Sequence, residues 1–268
     1  MNKIYFSICL MLTSPGLSVS LAQPADEKVL TYTDRVYEPQ IKTVQLFPLG
    51  SPRQPAVAHV TQQNLVLVFD DLYTNHDNYY VRVEHCTYDW AKSSLQDLDY
   101  MSEYNEFPIT QYEYSVDTHL PYIQYRFAVP PVKIPGNYLL QVYRESDQED
   151  LILTRRFMIY DRLVSFIKDG NLVTSGAVAS QHQQLNFTIQ YKNLPVQNAL
   201  TDLHVVIRQN QRWDNLAVDL RPANMREIEK QLEYRFFEDG SMFKGGNEFR
   251  FFDFRSLNNP GRNVASVD

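Results

Sequence analysis

A rhythm of short apolar runs with period-2 alternation, cut repeatedly by turn-forming residues, constrains this chain more than any other feature. The runs are Ile41 to Phe47, Leu65 to Phe69, Tyr79 to Tyr88, Tyr122 to Val129, Tyr138 to Tyr143, Leu151 to Tyr160, Leu185 to Tyr191, Leu203 to Ile207, Leu232 to Phe237 and Phe249 to Phe254. Between them stand Pro48-Leu49-Gly50-Ser51-Pro52, Asn75-His76-Asp77-Asn78, Pro130-Pro131, Pro135-Gly136-Asn137 and Asp169-Gly170-Asn171. Alternation places successive side chains on opposite faces of an extended strand, and many short strands joined by tight turns pack as antiparallel sandwiches. Only Arg221 to Leu232 is predicted as a helix, from Met225, Ile228 and Leu232 at spacings of three and four. The expected class is all-β, with Ig-like or fibronectin III-like antiparallel β-sandwiches in tandem.

The best boundary lies near Asp161, because the strong run Leu151 to Tyr160 is followed by a stretch rich in Gly, Ser and Gln from Asp169 to Gln184. That gives a first sandwich over 23–160 and a second over 161–268. The turn Asn258-Asn259-Pro260-Gly261 promises a further strand for which few residues remain, so the second domain is expected to be cut short. Residues 1–22 stand apart. Met1-Asn2-Lys3 is a short positive head, Ile4 to Ala22 is mostly apolar, and Ser20-Leu21-Ala22 puts small residues where a signal peptidase reads. A signal peptide cleaved before Gln23 follows, and with it export. The apolar stretch is broken by Ser14-Pro15-Gly16, which argues against a membrane anchor, and Cys9 lies in its middle rather than at the end where a lipoprotein needs it.

Composition narrows the function. The chain has 18 Tyr and 15 Phe against only 9 Gly in 268 residues, an excess that suits pleated sheets and not a helical bundle. Lys and Arg total 25 against 32 Asp and Glu, a net charge of -7 and the wrong sign for tracking phosphates, so nucleic acid is not the expected partner. After cleavage Cys86 is the single thiol, which excludes an internal disulfide and a multi-cysteine zinc site. It is expected to be free and buried.

Each candidate site has a structural reading beside the chemical one. His85 and Cys86 suggest a cysteine hydrolase, but neighbours on a strand point to opposite faces, and a nucleophile needs its base within hydrogen-bond reach. Asp70-Asp71 with His76 and Asp77 lack the spacing of a calcium loop, and Asp71 is expected to cap the backbone of a turn. The six His, at 59, 76, 85, 119, 182 and 204, form no HxH or HxxxH pair, so no zinc site is expected. Glu145, Asp147, Glu149 and Asp150 are read as a solvated hairpin tip rather than the paired carboxylates of a glycosidase. No GxSxG elbow, phosphate loop or GxGxxG occurs. Catalytic, metal and cofactor residues are therefore expected to be none, and a small-molecule substrate is not expected. Tyr100, Tyr104, Phe107, Tyr112, Tyr114, Tyr122 and Tyr125 crowd one segment, and those left exposed would bind a protein or a glycan.

Specific strings carry the reading further. His85-Cys86-Thr87-Tyr88-Asp89-Trp90, Ser94-Leu95, Tyr122-Ile123-Gln124-Tyr125, Gly136-Asn137-Tyr138-Leu139-Leu140-Gln141-Val142-Tyr143 and Thr154-Arg155-Arg156-Phe157-Met158 are joined by three more. These are Ile41-Lys42-Thr43-Val44-Gln45-Leu46, Gln209-Asn210-Gln211-Arg212-Trp213-Asp214 and Gly245-Gly246-Asn247-Glu248-Phe249-Arg250. In this order they resemble the Bacteroidetes family once known only as a domain of unknown function and now as the plug proteins of the type IX secretion system. The resemblance implies an exported periplasmic protein that closes the inner end of a large outer-membrane β-barrel translocon by obstruction, without catalysis. The translocon would be its partner, and a glycan-binding module is the alternative. Family members run on past Asn247-Glu248-Phe249-Arg250 by a further β domain. Physically, Trp90 and Trp213 read as buried anchors, and Gly136-Asn137 and Gly245-Gly246 as turns; the partner-binding residues are unknown at this level.

Overall fold

In the computed structural model, residues 28–73, 75–168, 182–235 and 243–245 are described. The signal peptide, the Asp169-Gly170-Asn171 turn, the run Phe249 to Phe254, the Gly245-Gly246 turn and the Asn258 to Gly261 turn lie wholly or partly outside them. The N-terminal part holds β1 (Arg35–Val36), β2 (Ile41–Pro48), β3 (Val57–His59), β4 (Leu65–Asp71), β5 (Tyr79–Cys86), a helical turn α1 (Asp97–Tyr100), β6 (Phe107–Pro108), β7 (Gln111–Tyr114), β8 (Ile123–Ala128), β9 (Gly136–Arg144) and β10 (Asp147–Tyr160). They make two sheets, ordered β1-β10-β9-β5-β6 and β2-β4-β8-β7, with β3 added beside β10. Pairing is antiparallel except between β3 and β10, which run parallel. The two sheets close over one core that contains Leu67, Phe69, Val81, Val83, Tyr125, Leu140, Val142 and Phe157. The expected all-β sandwich class holds.

The aromatic excess is chiefly a core device. Tyr79, Tyr100, Tyr125, Tyr138 and Tyr143 are fully buried. Each ring packs inside while its hydroxyl reaches a partner at the rim, the arrangement that makes a buried tyrosine tolerable. Tyr79 donates to Asp71 Oδ2 at 2.7 Å, Tyr100 to Asp97 Oδ1 at 2.6 Å, Tyr138 to the Ile134 carbonyl at 2.7 Å and Tyr143 to Glu106 Oε2 at 3.0 Å. Phe69 and Tyr125 stack at 5.1 Å, and Tyr79 meets Tyr125 edge-on at 4.9 Å.

The C-terminal part contains β11 (Ser165–Lys168), β12 (His182–Gln183), β13 (Phe187–Gln190), a helical turn α2 (Ala199–Asp202), β14 (Ile207–Arg208), β15 (Leu216–Ala217), β16 (Asn224–Arg226), β17 (Gln231–Tyr234) and β18 (Phe243–Lys244). A sheet ordered β11-β13-β17-β16 is joined by the pairs β12-β18 and β14-β15. Its separate core centres on Phe187, Ile189, Tyr191, Leu232 and Tyr234. Among the described residues no helix is long and apolar enough to cross a membrane.

Three local expectations are corrected. Arg221 to Leu232 is not a helix but the hairpin β16-β17, in which Met225 pairs with Leu232. A turn at Glu227 to Lys230 folds the two onto one face, so a spacing of seven imitated two helical turns, and Ile228 sits 95% exposed at the tip. Within Leu203 to Ile207 only Ile207 is in a strand, because Asn198 caps α2 just before it, its side chain accepting from the Leu200 amide at 3.0 Å. Gly136 is not in a turn. It opens β9 with ordinary φ, just before Asn137 and Tyr138 pair with Cys86 and His85 of β5, and a Cβ there would lie 2.4 Å from His85 Nε2. The glycine is required by the approach of the imidazole.

That contact makes a prediction. Gly136→Ala should destabilise the fold by about 1 to 3 kcal/mol, as overpacking does. Adding His85→Ala should recover part of the loss, giving a coupling energy in a double-mutant cycle of urea unfolding.

Candidate functional site

Four of the strings that carry the family resemblance, those holding Trp90, Leu139, Arg156 and Trp213, are far apart in sequence and meet in one place. After β5 the chain turns tightly, with the Thr87 amide donating to the Ala91 carbonyl at 2.8 Å and Trp90 in the left-handed region at φ 66. This turn lays the Trp90 indole over Cys86 and Leu139. The β14-β15 connection, with Asn210 and Gln211 also at positive φ, delivers Trp213 from the other part. The two indoles meet edge-on at 4.9 Å. The guanidinium of Arg156, from β10, lies 4.6 Å from the Trp90 ring and 4.8 Å from Trp213, and Arg208 covers Trp213 at 3.8 Å.

Cation–π contacts of this kind are worth about 0.5 to 2 kcal/mol each, the larger figure when desolvated. Arg156 is held on the strand side as well, donating from Nε to the Tyr32 carbonyl at 2.7 Å. Burial depresses its pKa, and the charge of Asp34 partly opposes that. Trp90 is the buried anchor expected of it; Trp213 is only half-buried, and its role is to cross from one core to the other.

Beside this joint opens a cavity of about 1030 Å³, lined by Tyr88, Trp90 and Arg156 on one side and Leu203, His204, Val206, Leu216 and Val218 on the other. Tyr88 and His204 stack face to face across it, 3.6 Å apart. Asp34, Asp89, Asp214, Asp219 and Arg221 also line it, so its wall mixes apolar side chains with charged ones.

At the opposite end lies an ion cluster that sequence reading missed. Arg144 reaches Glu38 at 2.7 Å, Asp77 at 2.9 Å and Asp150 at 2.7 Å, and Lys28 joins Glu38 and Asp150. Burial alone would raise the Glu38 carboxyl, but bonds from Arg144 and Lys28 outweigh it and hold it low. Asp150 is thus drawn out of the solvated tip assigned to it, while Asp147 and Glu149 stay exposed there. These three carboxylates converge on one arginine.

The remaining sequence candidates fall apart as sites. Cys86 is buried against Trp90 and Leu139, and burial, with the charge of Glu84, pushes its thiol up to about 12. His85 faces the other way, edge-on to Tyr138 at 5.1 Å, so no nucleophile and base meet. Asp71 does cap a turn: its Oδ1 accepts from the Tyr73 amide at 3.0 Å while Oδ2 holds Tyr79. Among the described residues no group of three or more His, Cys, Asp or Glu is arranged to hold a metal. Of the tyrosine segment, Tyr100 and Tyr125 are core, Phe107 and Tyr122 half-buried, and Tyr104, Tyr112 and Tyr114 exposed.

The architecture and the site define an all-β sandwich protein whose two cores meet through indoles and guanidinium groups. Residues 41–161 match the family model of the type 9 secretion system plug protein 1st domain. A crystal structure of a hypothetical protein from Parabacteroides merdae is similar to the chain at 29% identity and a TM-score of 0.80, over 89% of this chain. The chain spans 60% of that protein's length. No curated protein matches.

Two outcomes follow. Arg156→Ala and Trp213→Ala should each cost about 2 kcal/mol of thermal or urea stability. Each should also speed limited proteolysis between the two cores, and Arg156→Lys should not rescue, lacking the planar face that stacks on indoles. His85 gives a pH signature, since burial against Tyr100, Tyr138 and Gly136 lowers its pKa from 6.5. Above about pH 6.5 folded and unfolded chains are both neutral there; below it the unfolded chain takes up a proton that the folded one resists, so stability falls as pH drops. His85→Phe should flatten the slope of the urea midpoint between pH 7 and 5.

Proposed function

We propose that the chain is a periplasmic plug subunit of the type IX secretion system, binding and sealing the periplasmic end of its large outer-membrane β-barrel translocon without catalysis. The single observation that carries this is the match of residues 41–161 to the plug first-domain family. The geometry supports it in kind. A pore wide enough for folded cargo leaks when empty, and a body that covers its mouth must be stiff and broad. Two sandwich cores clamped by Trp90, Arg156, Trp213 and Arg208 provide such a body, and we take residues 23–160 and 161–268 as its two domains after removal of 1–22 as a signal peptide. Function then resides in surfaces, in keeping with the scattering of the histidine, cysteine and carboxylate candidates.

The reading is tested by deleting the gene in its host and measuring outer-membrane permeability to a large hydrophilic dye or antibiotic. Deletion should raise permeability, and the wild-type gene should restore the barrier. Unchanged permeability together with unchanged export of type IX cargo contradicts it, and retention of the protein on immobilised cell-surface polysaccharide would favour a glycan-binding module instead.

A further inference from the structure

Sheet edges invite pairing with other chains, and folded proteins blunt them with prolines, lysines, bulges or very short strands. The N-terminal sandwich does so at most of its edges. β1 has two residues and β3 three. β6 carries Pro108, which has no amide hydrogen. β2 carries Lys42, Pro48 and a register shift between Lys42 and Gln45, with Thr43 at φ 51. β7 has none of these devices: Gln111-Tyr112-Glu113-Tyr114 is regular, exposed at every position and paired only with β8.

The phase of its free hydrogen bonds can be worked out. The Ser115 amide donates to the Tyr122 carbonyl at 2.9 Å, so Ser115 bonds toward β8. Inward-bonding residues alternate in an antiparallel ladder, so Glu113 and Gln111, opposite Gln124 and Arg126, bond inward too. The amides and carbonyls of Tyr112 and Tyr114 therefore point away from the sheet. Among the described residues nothing bonds to them.

The side chains along this edge are incomplete rows. On the core-side face, Tyr112 lies opposite Tyr125 and against His76 at 4.2 Å, Tyr114 packs edge-on to Tyr112 at 5.9 Å, and the rings are 40% and 56% exposed. On the outer face a polar row runs Lys42, Asp70, Gln124, Glu113 across the sheet, with Gln124 donating to Asp70 Oδ1 at 3.0 Å. Lys42 stands at one end of that row and Glu113 at the other; Arg126, opposite Gln111, is the cation next along the same face, and among the described residues no ion pair joins it to Glu113.

We propose that β7 is the docking edge for an extended segment of a protein partner, which adds as an outer strand with apolar residues facing Tyr112 and Tyr114 and a Lys or Arg between them facing Glu113. Main-chain bonds supply the affinity and the alternating side chains the register. A second copy of this chain fits poorly, since antiparallel self-pairing about Glu113 would set two carboxylates together in molecules of net charge -7. A sugar fits poorly because one face of the Tyr112 ring is already against His76. The partner is taken to be the translocon, so the inference rests on the plug reading.

The test uses the full tagged chain in its native host, in wild-type, Tyr112→Pro and Glu113→Lys forms, purified from gently solubilised outer membrane. The proline removes an outward amide without touching the bonds to β8. Wild type should recover the giant β-barrel in near-equal amount, and both variants should recover about tenfold less while unfolding at the wild-type temperature. Amides of Tyr112 and Tyr114 should exchange with deuterium about tenfold more slowly in the complex than in the free protein. If Tyr112→Pro does not fold, Glu113→Lys and the exchange data decide. Undiminished recovery by Glu113→Lys, with unchanged exchange at Tyr112 and Tyr114, overturns the edge and leaves the plug reading standing. Protection of those amides in the free protein by self-association also overturns it. Failure of the wild type to recover any barrel overturns both.

Discussion

Arg156 held between two indoles is the contact on which the arrangement of this molecule depends. It lies on β10, the longest strand of the N-terminal sandwich, and its partners come from a tight turn after β5 and from the β14-β15 connection of the other core. A guanidinium suits the position because it is planar, permanently charged and weakly hydrated, so it can lie against aromatic faces with a small desolvation cost. Removing it would leave two tryptophans meeting edge-on beside an open cavity. The clamp joins the N-terminal sandwich to the second core.

Within the N-terminal sandwich, stability follows a second rule: large rings inside, charges at the rim. Tyr79 links these layers, its ring against Phe69 and Tyr125, its hydroxyl on Asp71 and the Arg144 guanidinium over its face at 6.0 Å. Burial, reinforced by the bond to Asp71, drives its pKa well above that of a free phenol, so it remains a donor throughout the physiological range. The Arg144 cluster fastens Lys28, Glu38 and the loop after β4 to the β9-β10 hairpin. Cys86 is free and buried, so this sandwich is held by ring-and-rim packing and not by a disulfide through that thiol.

Much of the fold was legible in the sequence because alternation is a local signal. The cores of β2, β4, β5, β8, β9 and β10 fall within their predicted runs, and the opposed directions of His85 and Cys86 follow from period two alone. What could not be read is of two kinds. The β16-β17 hairpin imitated a helix because Met225 and Leu232, seven apart, are cross-strand partners. The clamp, the Arg144 cluster and the reason for Gly136 are long-range: Arg156 and Trp213, or Gly136 and His85, are distant in sequence and are joined only by topology. Trp90 and Trp213 each read as a buried anchor, and nothing local says that they touch. The plug assignment itself came from the resemblance, since alternation and composition lead only to an exported all-β binding module.

The proposed action of this protein is obstruction through a surface. Its most direct test is electrical: the purified translocon barrel in a planar bilayer, with the protein added on the periplasmic side. The account predicts that conductance falls in discrete steps as the protein binds, and that it recovers when the protein is washed out. An unchanged conductance at protein concentrations that saturate binding to the barrel would contradict it.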